Sequence, residues 1–174
     1  GGFLLYTLNK VRNKATELYP NYLKDIRQHD RWFKYWHDFA EKNLYGIEIS
    51  EQISRAAKMN MIIHDDGHTN VITSDGLVSD ETIIAKTNNQ GFKYGTFDFI
   101  ITNPPFGSTV RQSEQAYLKT YQLGKKEEDW LAVATPPQNT RDRQSTEVLF
   151  IEQDYKFLKE GGYLAIVLPD GILT

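Results

Sequence analysis

Apolar side chains recur along this chain with two alternating periods, helical and extended. Phe3, Leu4, Leu8, Val11 and Ala15 share one face at helical spacing, so residues 3–18 read as a helix. Tyr19, Pro20 and Asn21 interrupt it, because proline cannot extend a helix and disfavours helical backbone just before it. A second helical region runs from about 21 to 42, where Trp32, Trp36 and Phe39 stand at i, i+4 and i+7. "LYGIEI" (44–49) predicts a short buried strand. Ser50 then offers a helix N-cap, with Ile53, Ala56, Ala57, Asn60 and Met61 following at helical spacing. "NVITSD" (70–75) predicts the next strand, and residues 76–96 are polar, with "NNQG" as a turn signal. "FDFIIT" (97–102) predicts a strand, and 107–144 is a long polar segment of the kind usually functional or mobile. Val148, Ile151, Tyr155 and Leu158 predict a helix that Gly161 is placed to terminate, and "GYLAIVLP" (162–169) predicts a last apolar strand.

Strands that alternate with helices and are apolar on both faces predict an α/β fold, a mostly parallel sheet flanked by helices on each side. Glu48, Asp75 and Asn103 then fall at or just past strand ends, each pair separated by roughly one βα unit of ~30 residues. Such folds bind ligands along that edge.

Composition narrows the picture in a few places. A length of 174 residues fits one domain or most of one. No apolar run approaches the ~20 residues that span a bilayer, and the start lacks a basic leader with a small-residue cleavage site, so neither membrane nor secretion is expected. Absence of cysteine excludes disulfides and thiolate metal sites. Together these fit a cytoplasmic location. A net charge of −3 is unlike a domain that grips duplex DNA on its own, since that affinity comes largely from neutralising phosphates. A nucleic-acid substrate would have to be held mostly by something else.

The candidate chemistry sits in "NPPF", directly after the apolar strand at 97–102. The Asn103 side chain carries an acceptor and a donor. Pro104 and Pro105 lack N–H groups and fix φ, so the turn is stiff and offers carbonyls rather than donors. Phe106 adds a flat apolar face. The set suits a planar ligand bearing an amino group, held by the Asn103 amide oxygen and the Pro104 carbonyl with the ring stacked on it. Glu48, between a strand and a helix, is a place where ribose hydroxyls are commonly received, though an acid favoured by the helix dipole accounts for it equally well. Asp75 before Gly76 could accept from an adenine amine, and a plain turn aspartate is the simpler reading.

Other clusters carry less. Trp32, Trp36 and Phe39 could stack bases, but packing on a sheet is the favoured explanation. His64, Asp65, Asp66 and His68 could bind a metal; a polar helix end explains them, and no metal is expected. Lys125, Lys126, Arg111, Arg141 and Arg143 could touch phosphates, a case weakened by Glu127, Glu128 and Asp129 beside them.

In combination these pieces resemble the N6-adenine DNA methyltransferases, and in particular the modification (M) subunits of type I restriction-modification systems. "NPPF" after "FDFIIT" looks like their catalytic motif. "GGFLL" at the start looks like the tail of their cofactor glycine motif, "YGIEIS" like the strand whose acid holds the cofactor ribose, and "TSDGL" like the strand end at the cofactor adenine. "FLKEGGYLAIVLPDGIL" is similar to their later helix–strand segment. The resemblance implies a Rossmann-like fold binding S-adenosyl-L-methionine through Gly1, Gly2, Glu48, Ile49, Asp75 and Gly76. It implies methyl transfer to the exocyclic amine of an adenine flipped from double-stranded DNA, with Asn103, Pro104, Pro105 and Phe106 as the catalytic corner, and specificity and restriction subunits as partners. The chain begins inside the glycine motif, so residues 1–174 are expected to be a partial catalytic domain, truncated at the first strand and without a target-recognition region. Transfer to protein glutamine, RNA or cytosine amines, or a non-catalytic remnant, are the alternatives. Relatives acting on glutamine or RNA usually carry tyrosine where Phe106 stands, which leans towards DNA.

Overall fold

The computed structural model describes residues 2–64, 70–111, 116–125 and 141–172. The chain divides into two compact units, Gly1–Asp75 and Gly76–Thr174.

The first unit begins with α1 (Gly2–Leu18) and α2 (Ile26–Asn43), followed by β1 (Tyr45–Glu48), α3 (Glu51–Ile63) and β2 (Asn70–Thr73). The second helix starts later than its apolar pattern predicts, because Asp25 caps it by accepting the Arg27 N–H at 2.9 Å. Its tryptophan stripe is core. Trp36 packs with Leu8, Ala15, Ala40 and Met61, and Trp32 donates its indole N–H to Thr16 Oγ1 while stacking on Tyr22. The Arg12 guanidinium lies 4.0 Å from the centroid of the Trp36 ring. Ser50 caps α3 as expected, but the face α3 buries is Ser54, Ala57 and Met61, and Ile53 is exposed. β1 and β2 are parallel, with Glu48 opposite Thr73. Gly46 admits a close neighbour there: a Cβ would stand 3.2 Å from the Leu4 side chain of α1.

The second unit holds α4 (Asp80–Thr87), β3 (Phe97–Thr102), β4 (Thr109–Arg111), a 3-10 turn (Ala116–Thr120), β5 (Arg143–Ser145), α5 (Thr146–Phe157), β6 (Leu158–Ile166) and a last 3-10 turn, Asp170–Ile172. The polar stretch 76–96 thus contains a helix, capped by Ser79 at its start and by Asn88 in left-handed conformation (φ 54°) at its end. The polar segment from 107 contains a short antiparallel ribbon, β4 against β5. Leu77, Val110, Leu118, Tyr121 and Leu149 form the core.

β3 and β6 pair in parallel, and the expected role of Gly161 is corrected here. The helix ends at Phe157, and Gly161 (φ 76°) lies inside β6, which starts at Leu158. Phe97 faces Leu158 and Phe99 faces Tyr163, so β6 bulges between those partners. Gly162 sits in that bulge, where a Cβ would stand 3.1 Å from the Phe97 carbonyl oxygen. Phe157, at the end of α5, packs edge-on against Phe97. On the strands themselves Phe99, Ile101 and Tyr163 are half-exposed or more, with Phe99 stacked on Tyr163. Within this unit, among the described residues, no helix covers those side chains. The strands are therefore not apolar and buried on both faces. In place of one mostly parallel sheet, the described strands form three two-stranded sheets, two parallel and one antiparallel. The protein is mixed α/β. Among the described residues no helix is long and apolar enough to cross a membrane.

Candidate active site

The corner from Asn103 to Gly107 leaves the carboxyl end of β3, as its sequence predicts. Its entry is fixed by the ladder, since the Thr102 carbonyl accepts the Val167 N–H at 3.1 Å. Asn103 and Pro105 are exposed, Pro104 is buried, and Phe106 is half-exposed. Among the described residues no hydrogen bond engages the Asn103 amide or the Pro104 carbonyl. Gly107 follows with φ 70°, a left-handed conformation that side chains other than glycine rarely adopt.

The exit is fixed by the first turn of α5. The Thr146 hydroxyl lies 3.1 Å from both the Pro105 and the Ser108 carbonyl oxygens, and the Thr146 N–H donates to Ser108 at 3.1 Å. Glu147, only 2% exposed, accepts the Gly107 N–H at 2.7 Å. Burial opposes the charge on Glu147, but its own N–H, that of Gly107 and the hydroxyls of Ser145 and Thr146 outweigh it. The carboxyl therefore titrates below its ordinary range. Sequence reasoning missed both residues, since it began this helix at Val148. The legible signal was Ser145, a capping residue followed within two positions by an acid. It also misplaced the buried face. Tyr155 is 77% exposed, and α5 instead buries Glu147, Glu152, Gln153 and Asp154 beside Leu149 and Phe157.

Those polar groups tie the second unit together. Gln153 donates to the Val78 carbonyl and accepts from the Tyr121 and Tyr94 hydroxyls. Glu152 accepts the Gln122 and Leu123 N–H groups and pairs with Lys156 at 2.8 Å. Asp154 has a buried oxygen, Oδ2, with no hydrogen-bond partner, and burial pushes its carboxyl up to about 7.

In the first unit, Glu48 closes β1 and Asp75 follows β2 on the same edge of that two-stranded sheet. Glu48 Oε1 accepts the Ser50 N–H at 2.9 Å. A carboxylate has about four acceptor directions, so capacity for further donors remains. Ile49 beside it is 69% exposed, an apolar surface next to an acid. Asp75 and Gly76 are half-buried. Gly2 is the first residue of α1 with open space around its Cβ position, and Gly1 lies outside the described residues.

Of the weaker candidates, Arg111 and Arg143 are cross-strand partners on the β4–β5 ribbon, both exposed, and Arg141 donates to the Lys125 carbonyl. Lys126 and the acids at 127–129 lie outside the described residues, as do Asp65, Asp66 and His68; His64 ends α3. A different trio, His37, Asp38 and Glu41, could bring three ligand atoms within 4.8 Å of one another. Lys34 and Lys42 already hold Asp38 as ion pairs and keep its carboxyl ionised below the usual range, and the His37 ring stacks on Phe33. Two ammonium groups on one of the three ligands oppose a cation there.

The family model described as N-6 DNA Methylase matches residues 1–174. The chain belongs to the N-6 DNA methylase family. It is similar to the type II restriction enzyme and methyltransferase RM.BcgI of Heyndrickxia coagulans, at 24% identity over its whole length and 19% of the relative's. It is also similar to the type I restriction enzyme EcoEI methylase subunit of Escherichia coli, at 26% identity over 99% of the chain and 27% of that subunit. The chain thus spans about a fifth and about a quarter of the curated relatives it matches. No solved structure matches it. The resemblance drawn from "NPPF" and its flanking strands agrees with this N-6 DNA methylase membership.

Proposed function

We propose that this chain carries the catalytic corner of an S-adenosylmethionine-dependent DNA methyltransferase acting on the N6 amine of a flipped adenine. The observation that carries the reading is the state of the acceptors at 103–105. Among the described residues no hydrogen bond engages the Asn103 amide or the carbonyl of the buried Pro104, while the Pro105 carbonyl lies 3.1 Å from the Thr146 hydroxyl.

The adenine N6 lone pair is delocalised into the ring, so the amine is a poor nucleophile. Two acceptors at about 3 Å that hold its two hydrogens favour a pyramidal nitrogen with a localised pair. The Asn103 amide oxygen and the Pro104 carbonyl are those acceptors, and the half-exposed Phe106 ring stacks on the base. Flipping takes the base out of its stack, and stacking on Phe106 offsets part of that cost. No strong base is required, since the amine becomes acidic once alkylated and loses its proton afterwards. Rate comes from placement and from electrostatics fixed in advance.

Bound S-adenosylmethionine supplies a methyl group made electrophilic by its sulfonium sulfur. The chain's residues fit such a group. Glu48 retains acceptor capacity for ribose hydroxyls, Ile49 offers apolar surface to the purine, and Asp75 with Gly76 stands at the neighbouring strand end to take its amine. Gly1 and Gly2 belong to the stretch that would approach the cofactor's amino-acid end. This division of labour is that of a Rossmann-like methyltransferase fold. With its net charge of −3, the domain leaves most of the grip on DNA to other parts of the protein or to partner subunits. Arg111 and Arg143 supply a local phosphate contact. The type I methylase subunit among its relatives favours a restriction-modification complex with specificity and restriction subunits, working in the cytoplasm.

The test is methyl transfer by the full-length protein from labelled S-adenosylmethionine to duplex DNA, with the product bases separated. Label on adenine N6 is expected. Label on cytosine, on RNA or on protein, or no transfer at all, overturns the reading.

A further inference from the structure

Glu147 has no role in the chemistry above, yet it is among the most buried charged side chains described, and its Oε1 is committed to a backbone N–H of the catalytic corner. An acid in the first turn of a helix is ordinarily a solvated group that gains a little from the helix dipole. Burial and a 2.7 Å bond to Gly107 are more than that explanation requires. We infer that Glu147, with Thr146, is a positioning residue that clamps the exit of the Asn103–Gly107 corner and so fixes where the two amine acceptors point. The inference rests on the methyltransferase reading proposed above.

The geometry is that of a loop pinned at both ends. At the entry, Val167 N–H bonds the Thr102 carbonyl. At the exit, Glu147 holds the Gly107 N–H, and Thr146 holds the Ser108 carbonyl by its own N–H. The ribbon continues the staple, because Thr109 pairs with Ser145, the N-cap of α5 itself. Between the pins the two prolines have fixed φ, leaving Asn103 and Phe106 as the residues with rotational freedom. The left-handed Gly107 directs its N–H towards Glu147. Without an acceptor there, the N–H of the exposed Gly107 pairs with water instead and the turn relaxes towards solvent. The Thr146 hydroxyl works alongside, 3.1 Å from the Pro105 and Ser108 carbonyls and within reach of either.

The experiment uses the full-length protein with Glu147→Ala and Glu147→Gln, and two independent readouts. The first is hydrogen exchange at the Gly107 amide, which tests the clamp without any assay of methylation. Exchange should quicken at least about tenfold in Glu147→Ala and stay near wild type in Glu147→Gln, whose amide oxygen still accepts. The second is adenine methylation at saturating DNA. Glu147→Ala should lose about 100-fold in kcat, the scale of a misplacement near 1 Å, with S-adenosylmethionine affinity by calorimetry unchanged, and Glu147→Gln should recover most of the rate. Unchanged Gly107 exchange in Glu147→Ala removes the clamp, whatever the activity. So does a kcat within twofold of wild type, or a matching loss of cofactor affinity, which would mark general damage. A wild-type protein that does not methylate adenine, but whose Gly107 protection depends on Glu147, instead removes the methyltransferase reading.

Discussion

The Thr146 hydroxyl lies 3.1 Å from the Pro105 carbonyl oxygen, a contact between the start of α5 and the turn after β3. It separates two neighbouring carbonyls that the sequence leaves equivalent. Pro105 and, at the same distance, Ser108 lie within reach of that hydroxyl, whereas among the described residues no donor reaches Pro104, the carbonyl proposed to accept a ligand amine. Helix and turn are thus parts of one device, which ties the proposed chemistry to how the second unit folds.

Glu48, at the end of β1, is the acid proposed to hold the cofactor. Glu48→Ala should weaken S-adenosylmethionine binding by about 10-fold or more, the range for hydrogen bonds to a charged acceptor. Methylation at saturating cofactor should be little affected. Calorimetry checks this directly, and unchanged affinity would remove Glu48 from the cofactor site.

Arg111 and Arg143 face each other across the β4–β5 ribbon. Both are exposed, and a DNA phosphate is the anion proposed to meet Arg143 there. Arg143→Ala should weaken DNA binding about equally across sequences and lower the salt dependence by about one counterion. An unchanged salt slope would remove Arg143 from the DNA contact.

Strand ends, the Ser50 cap and the "NPPF" corner were legible because local chemistry decides them: apolar runs, a hydroxyl before a helix, prolines after a strand. The α5 face was not. Hydrophobic periodicity looks for a greasy stripe, and this helix buries Glu147, Glu152, Gln153 and Asp154 because each of the first three finds a donor or acceptor far away in sequence. Such partners have no signature in spacing. Gly161 misled for a related reason. A glycine after a helical pattern is ordinarily its terminator, but here the left-handed residue sits in a strand bulge defined only by pairing with β3. Of the three residues expected along one sheet edge, Glu48 and Asp75 share one because β1 and β2 pair in register, whereas Asn103 follows β3, which pairs with β6 in a separate two-stranded sheet.

Asp154 supplies a pH test. Its folded-state value of about 7 lies above its ordinary 3.8, so between those values the folded chain keeps a proton that the unfolded chain has lost. Stability from this group therefore falls as pH rises through that window and levels off above it. Asp154→Asn should be more stable than wild type at pH 8, by an amount on the order of a few kcal/mol at most. The difference should shrink towards pH 4. Urea unfolding of the two proteins at both pH values measures it, and a difference independent of pH would contradict the buried, unpartnered carboxyl.

The central claim is that the Asn103 amide holds the amine that receives the methyl group. Single-turnover transfer from labelled S-adenosylmethionine to adenine in duplex DNA, comparing wild type with Asn103→Ala at saturating DNA and cofactor, tests it most directly. The account predicts a loss of about 100-fold or more in the rate of transfer, with cofactor affinity unchanged. Transfer by Asn103→Ala at a near-normal rate would contradict it.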